Sequence, residues 1–317
     1  MTELSDEIFS ELRKIDTPTI TNVVATYPKN PLCLGLYNPW TENWYTDSTI
    51  RCIYPELGPT VGYAVTCVYG LPDPNYQGRL SFMDVVDALD AMKKPTILVI
   101  QQKWPPELHN KAGLAGEMMV SSMMAVGCIG MLSNGPSRDV DAIRRLKFQY
   151  MLGGVSAGHG EMAVQSVNVP VSVGGMDVAP GDLIHMDENG AVKFPPHHAP
   201  AVVKNAKAML DDEARRLEVI RKARSAAEVR AALTPGAVVT GRVASVRDFG
   251  AFIDIGGGVQ GLLHVSEMGW SRVTDPSKVV TPGQEVTVKI LRIDTKDGAE
   301  KIALGLKQLS DDPWASA

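Results

Sequence analysis

The sequence predicts two folds in tandem: an α/β domain of layered helices and short strands over residues 1–232, and a small all-β barrel over residues 233–317. Before about residue 232, apolar segments of helical period alternate with short β-branched runs. After it, five short apolar segments are separated by glycine-rich breaks. The length of 317 residues agrees, since domains run to roughly 100–200 residues each.

Ser5 to Lys14 is predicted as an opening helix with Ile8, Leu12 and Ile15 on one side. Pro18 places the Thr-Pro-Thr-Ile-Thr segment near a turn. Residues 30–57, rich in Pro, Tyr, Trp and Asn, read as a long irregular excursion, as well suited to a structural loop as to a functional one. Ser81 is placed to cap a helix through Met92, with Phe82, Val85, Val86 and Leu89 facing inward. Thr96 to Ile100 is too short and β-branched for another helix and reads as a buried strand. A helix from about Gly116 to Val126 and a strand from Cys128 to Leu132 follow, then a Gly/Pro/Ser turn into Arg138. Asp139 to Leu146 is helical, with Asp139 in the first turn, where a carboxylate complements the helix dipole. Strands are expected at 170–173, 182–185 and 191–194, separated by Pro180-Gly181 and Asn189-Gly190. A charged helix from about Pro200 to Leu233 presents a solvated face.

In the second part, Val238–Val246, Ala251–Ile255, Gly261–Val265, Glu285–Asp294 and Lys301–Leu306 are the five predicted strands. Gly256-Gly-Gly258, Pro282-Gly283 and Asp297-Gly298 break several of them apart. Five strands in about 75 residues suit an OB-fold barrel, an architecture that binds single-stranded nucleic acid.

Composition narrows the function classes. A formal net charge of −5 argues against an overall electrostatic grip on nucleic acid, so any such contact is local. The acidic start, Met1 to Ser10, lacks the apolar run of a signal peptide, and no window approaches 18 uncharged apolar residues. Cys33, Cys52, Cys67 and Cys128 are scattered, as expected for reduced, packed thiols in a cytoplasmic protein. No Gly-x-Gly-x-x-Gly turn stands between an early strand and a helix, so a methyltransferase reading has little support. His185, His197 and His198 lack metal-ligand spacing, and His159, among glycines, reads more readily as packed or solvent-facing than as an acid or base.

The chemistry-bearing residues of the first part cluster at Gly113-Leu-Ala-Gly-Glu117 and Gly127-Cys-Ile-Gly-Met-Leu-Ser-Asn-Gly-Pro-Ser-Arg-Asp139, in a Glu-x20-Arg-Asp spacing. By itself, an Arg-Asp pair at a helix start is more often a cap or a salt bridge. The spacing, with Asp16-Thr-Pro-Thr-Ile-Thr-Asn22, Gly62-Tyr-Ala-Val-Thr66 and the run from Val178 to Val192, resembles the RraA-like family over about residues 8–230. That family includes the regulator of ribonuclease activity A and divalent-metal-dependent 4-hydroxy-4-methyl-2-oxoglutarate aldolases that also decarboxylate oxaloacetate. The resemblance implies a layered β/β/α domain, trimers or hexamers, and a lyase that releases pyruvate from a small 2-oxo acid. It implies that Arg138 binds the substrate carboxylate and carbonyl, that Asp139 holds Mg²⁺ or Mn²⁺, and that Glu117 orients metal-bound water. The N–H groups of Met118 and Met119 would complete the carboxylate cradle. This chain departs from the family pattern at Ala142, where an acidic residue is common, and at Asn134-Gly-Pro-Ser137, where Asp-Gly-x-x is common.

The stretch from Arg247 to Trp270, with Leu306-Lys-Gln-Leu309 and Asp312-Pro-Trp314, resembles the ribosomal S1-type RNA-binding domain from about Thr234 to Trp314. The resemblance implies an exposed platform of Phe249, Phe252 and His264 for base stacking, with Asp294 and Lys301 at neighbouring polar positions. Single-stranded RNA, and the ribosome or RNA-degradation machinery, are the partners implied. A non-catalytic RNA-binding regulator is the alternative to the lyase.

Overall fold

A computed structural model describes residues 4–27, 30–73, 80–222, 224, 238–255, 260–271, 273–296 and 299–309. The chain divides by packing into two units, residues 1–211 and 212–317. The boundary expected at 232/233 lies outside the described residues.

The first unit opens with α1 (Asp6–Leu12) and α2 (Thr17–Val24). The segment around Pro18, expected near a turn, is helical. Asp16 caps it by accepting from Thr19 N–H at 3.1 Å, and Pro18 sits in the first turn, where a missing N–H costs no helical bond. After the irregular stretch come β1 (Arg51–Cys52), β2 (Thr60–Gly70), α3 (Phe82–Ala91), β3 (Thr96–Lys103), α4 (Glu117–Ala125), β4 (Cys128–Ser137), α5 (Val140–Leu146) and β5 (Gln149–Val155). Ser81 and Asp84 close a capping box on α3, the expected start signal. The chain then runs through β6 (Ala163–Val167), β7 (Val171–Val173), β8 (Met176–Val178), β9 (Leu183–Asp187), β10 (Gly190–Phe194) and α6 (Ala199–Lys222).

Strands β2, β3, β4 and β5 pair in parallel, each joined to the next through a helix. The full sheet has the order β1-β5-β4-β3-β2-β9-β10, with β6 antiparallel to β2. Period-two alternation splits the parallel strands between two cores. Val65, Cys67, Leu98 and Ile100 pack with residues of α3, α4 and α5, whereas Ala64, Ile97 and Val99 pack against the β7–β8 hairpin. The domain is therefore layered β/β/α.

Two segments differ from the sequence reading. β4 runs through the Asn134-Gly-Pro-Ser137 expected as a turn, because a register shift after Ser133 lets Pro136 and Ser137 pair with Gly154 and Val155 despite the missing proline N–H. α5 begins one residue after Asp139, which has φ 61° and makes no side-chain cap. Burial pushes the Cys52 and Cys128 thiols up to about 11, so neither is a thiolate nucleophile at neutral pH.

A second core joins α1, α2 and α6 to β9 and β10. Ala199, Val202, Val203, Ala206 and Met209 form the buried helical stripe of α6. His185 is wholly buried there: its Nε2 donates to the Leu12 carbonyl at 3.1 Å, and its Nδ1 accepts from the Thr17 hydroxyl at 2.9 Å. Burial holds its pKa below the ordinary value of 6.5, partly offset by the Leu12 bond. The unfolded chain therefore binds a proton that the folded one refuses, and stability present above about pH 6.5 is lost as pH falls below it, by at most about 1.4 kcal/mol per pH unit. Urea unfolding at about pH 7.5 and 5.5 is expected to show this loss, and His185→Gln to flatten it. An unchanged slope in the variant contradicts the assignment.

The second unit is a closed barrel of β11 (Val238–Arg247), β12 (Gly250–Asp254), β13 (Gln260–His264), β14 (Glu285–Lys296) and β15 (Ala299–Gly305), in the order β11-β12-β13-β15-β14. Its core includes Val243, Ala251, Ile253, Leu263, Val288 and Leu304. No helix among the described residues is long and apolar enough to cross a membrane.

Candidate functional site

The parallel strands end together, and connections in such sheets gather ligands beyond the strands' carboxyl ends. Here the β3–α4, β4–α5 and β5–β6 connections line a cavity of about 250 Å³ holding Gly116, Glu117, Met118, Met119, Arg138, Asp139 and His159. The β3–α4 connection is laid along the end of β4. Leu114 N–H donates to the Pro136 carbonyl at 2.9 Å, Ala115 N–H to Ser137 Oγ at 3.1 Å, and Arg138 N–H to the Ala115 carbonyl at 3.2 Å. Gly113 N–H reaches across to the Gly158 carbonyl at 2.8 Å. Ser137 is fully buried, and behind it the Tyr150 hydroxyl donates to the Ala115 carbonyl at 3.4 Å. Burial raises the Tyr150 pKa, so that hydroxyl keeps its proton.

This clamp brings Glu117 and Asp139 side by side. The Glu117 N–H donates to Asp139 Oδ2 at 3.0 Å, so Asp139 serves the start of α4 rather than its own helix. The cost is a left-handed backbone at a non-glycine residue, about 1–3 kcal/mol, of the kind that gathers at functional sites. Arg138 Nε stands 3.8 Å from the same Oδ2, beyond hydrogen-bond distance, and its side chain is 37% exposed. The guanidinium is thus not consumed by its neighbour. Gly116 caps α4 without a side chain, so the N–H groups of Met118 and Met119, in the first turn, have no side-chain cap. Such a helix start accepts a carboxylate.

All five residues expected at this site from the sequence, Glu117, Met118, Met119, Arg138 and Asp139, line the one cavity, and His159 joins them. Sequence reading missed Ser137, Tyr150 and Gly116. Their roles depend on the pairing of β4 with β5 and of both with the β3–α4 connection, which no local pattern announces. Asp141, offset by one from the acidic position common in the family, turns away to bind Arg144 at 2.9 Å.

Asp139 and Glu117 are the carboxylates of the cavity wall, and among the described residues no group of three His, Cys, Asp or Glu surrounds a common point. Mg²⁺ and Mn²⁺ accept one or two carboxylates with water completing the shell, whereas zinc takes three or four protein ligands. A Cβ on Gly116 would lie 2.5 Å from Asp139 Oδ2, so the missing side chain leaves room beside that oxygen. The donor set fits a hydrated Mg²⁺ or Mn²⁺.

On the barrel, Ala251 and Ile253 are buried while Phe252 between them is half-exposed. Phe249 is 49% exposed and meets Phe252 edge-on, with centroids 6.2 Å apart. His264 pairs in register with Gly250 on the adjacent strand and is exposed. Its Nδ1 accepts from Ser266 N–H at 3.2 Å, which leaves the Nε2 edge for other partners. Lys307 is engaged, at 3.2 Å from a Glu267 oxygen. Burial raises the Glu267 pKa, but bonds from Gln308 and Lys307 outweigh it and hold the group below its ordinary value. Asp294 and Lys301 are paired in register across β14 and β15, and their side chains lie outside those described.

A layered β/β/α domain with an arginine–carboxylate pocket, followed by a five-stranded barrel, defines a two-module protein. The family model RraA-like (Aldolase/RraA) matches residues 34–193, half of the sequence, and the chain belongs to that family. The S1 RNA binding domain model matches residues 233–305. The chain is similar to small ribosomal subunit protein bS1 of Neisseria meningitidis, 45% identical over 83 residues that make up 26% of this chain and 14% of that one. It is also similar to bS1 of Rhodopseudomonas palustris, 49% identical over 82 residues, again 26% and 14%. The chain spans only about a seventh of the length of these curated relatives. Among solved structures, an uncharacterized protein from Pseudomonas syringae pv. tomato has a TM-score of 0.56 at 21% identity, covering 72% of this chain and 95% of that one. Streptomyces coelicolor RraAS2, described as an unusual member of the RNase ES inhibitor RraA protein family, has a TM-score of 0.51 at 19% identity, covering 69% and 98%. At these identities the likeness concerns the fold.

Proposed function

We propose that the first domain is a divalent-metal-dependent lyase that releases pyruvate, by decarboxylating oxaloacetate or cleaving a 4-hydroxy-2-oxo acid, and that the barrel binds single-stranded RNA. The observation that carries the enzymatic reading is the convergence in one cavity of Arg138, the Asp139 carboxylate and the first turn of α4, whose N-cap Gly116 brings no side chain.

The guanidinium of Arg138 binds the C1 carboxylate of the substrate in a two-pronged hydrogen bond, which orients it. The N–H groups of Met118 and Met119 share that carboxylate. The C2 carbonyl is thereby directed to the side of the cavity where Asp139 and Glu117 stand. The bond from C3 to the departing carbon breaks there, and its electron pair moves onto the C2 oxygen as an enolate. Asp139 would hold Mg²⁺ or Mn²⁺, with Glu117 acting through water, and the bound cation supplies positive charge to offset that oxyanion. Glu117, exposed at the rim, orients a water that returns a proton to C3. No Schiff-base lysine takes part. Purified protein with Mg²⁺ or Mn²⁺ is expected to release pyruvate from oxaloacetate above the metal-only background and to fall to background in EDTA. Absence of turnover at metal saturation with any 2-oxo diacid overturns the reading.

The outward Phe252 and the exposed Phe249 and His264 support a second activity. Bases stacked on such side chains contribute about 1–3 kcal/mol each, so Phe252→Ala is expected to weaken binding of a short single-stranded RNA about 5- to 100-fold. Arg138→Ala is expected to leave that binding intact, which would also serve a regulator that does no chemistry. Fluorescence anisotropy at low salt measures both, and equal affinity of wild type and Phe252→Ala rules out the platform. Affinity is expected to fall with salt, and a trimer would gain avidity from three barrels.

A further inference from the structure

Beside the pocket lies a second, larger cavity of about 540 Å³, lined by Leu71, Trp104, Leu108 and other residues. Trp104 is only 8% exposed, and it packs with Leu108 into the helix-side core, so the apolar wall is fixed. Lys111 and Glu161 add one positive and one negative charge to the lining, which leaves no surplus cation for a second substrate carboxylate. His159 lines both cavities. The segment that carries it is pinned by the bond from Gly113 N–H to the Gly158 carbonyl. A carbonyl only accepts, so the 3.1 Å contact of His159 Nδ1 with the Gly160 carbonyl puts the proton on Nδ1 and, in the neutral ring, the lone pair on Nε2.

Resting on the reading of the first pocket as a 2-oxo-acid site, we infer that the second cavity receives a bulky apolar substituent on C4 of a 4-hydroxy-2-oxo acid, and that His159 takes the C4 hydroxyl proton. With C1 to C3 held by Arg138 and α4, C4 falls at the junction of the two cavities, beside His159. Nε2 removes the hydroxyl proton, and the oxygen's electrons form the aldehyde carbonyl. The C3–C4 bond breaks, and its pair passes to the C2 oxygen as the pyruvate enolate. The water oriented by Glu117 gives a proton to C3 to complete pyruvate, and the hydroxide left behind regains the proton that His159 Nε2 had taken. The apolar aldehyde is left in the second cavity, against Trp104 and Leu108.

Two measurements on the full-length protein test this. By calorimetry, 2-oxo-4-phenylbutanoate is expected to bind at least tenfold more tightly than pyruvate, and Leu108→Glu, at the half-buried wall, to abolish the difference. Leu71→Glu, at a more exposed position, serves the same purpose should the first variant not fold. Equal affinity of wild type for the two ligands overturns the cavity assignment. In the second measurement, cleavage of 4-hydroxy-2-oxo-4-phenylbutanoate is followed by benzaldehyde formation and compared with oxaloacetate decarboxylation. Decarboxylation has no C4 hydroxyl to deprotonate, and a general base contributes about 10²–10⁴-fold, so His159→Gln is expected to lower the ratio of the two rates at least tenfold. An unchanged ratio, or no benzaldehyde from wild type, overturns the His159 step. Failure to turn over oxaloacetate counts against the lyase reading instead, and the preference for the phenyl ligand still decides the cavity.

Discussion

Arg138→Ala is expected to lower kcat/KM for pyruvate release by about 10²–10³-fold, the usual loss when one preorganised electrostatic partner of a transition state is removed. The fold should not notice. The Arg138 side chain is 37% exposed and its nearest anion is 3.8 Å away, a geometry worth about 0–1 kcal/mol at a surface. Its backbone N–H, which holds the β3–α4 connection at the Ala115 carbonyl, survives the change. Activity and stability are therefore expected to separate, with pyruvate release nearly lost and the melting temperature close to wild type. Arg138→Lys restores the charge without the planar fork and is expected to recover only part of the activity, through a higher KM. Steady-state kinetics beside thermal denaturation decide the matter. If Arg138→Ala keeps full turnover, the guanidinium is not the carboxylate anchor.

Gly116→Ala is expected to reduce turnover about 10²-fold although it adds only one methyl group. A Cβ at residue 116 would lie 2.5 Å from Asp139 Oδ2 and 3.1 Å from Arg138 Nε. To reach ordinary contact the carboxylate must move by about 1 Å, and a misplacement of that size in a catalytic group costs about 10²-fold. Gly116 has no positive-φ conformation to lose. The effect is thus steric and confined to the pocket. A crystal structure of Gly116→Ala should show Asp139 displaced and its bond to Glu117 N–H broken. Retention of that bond with normal kinetics would show that Asp139 Oδ2 has no part in the chemistry.

Much of the fold was legible because its signals are local. Ser81, read as a cap, begins α3, the β-branched run at Thr96 is a buried strand, and the charged run after Pro200 is the helix α6. The five barrel strands stand close to their expected positions for the same reason. Where local signals misled, a tertiary partner overrode them. Pro18 and Pro136 each read as a break, yet one falls in a helix's first turn and the other beside a register shift that β5 accommodates. Phe252 could not be assigned to core or surface from its identity; the burial of Ala251 and Ile253 on either side decides it.

The sequence alone picked out the candidate side chains, because Glu117, Arg138 and Asp139 stand in a recognisable spacing and the stretch around Phe249, Phe252 and His264 resembles a known RNA-binding module. It determined the class of each domain, because helical and strand periodicities survive in a single chain. Only the tertiary structure decided that Asp139 abandons its own helix for the start of α4, that Gly116 keeps the space between them open, and that His159 stands between two cavities. Each of those facts joins segments about 20 or more residues apart through strand register and backbone hydrogen bonds. Such pairings are chosen by the packing of the whole sheet, and no short window of sequence contains them.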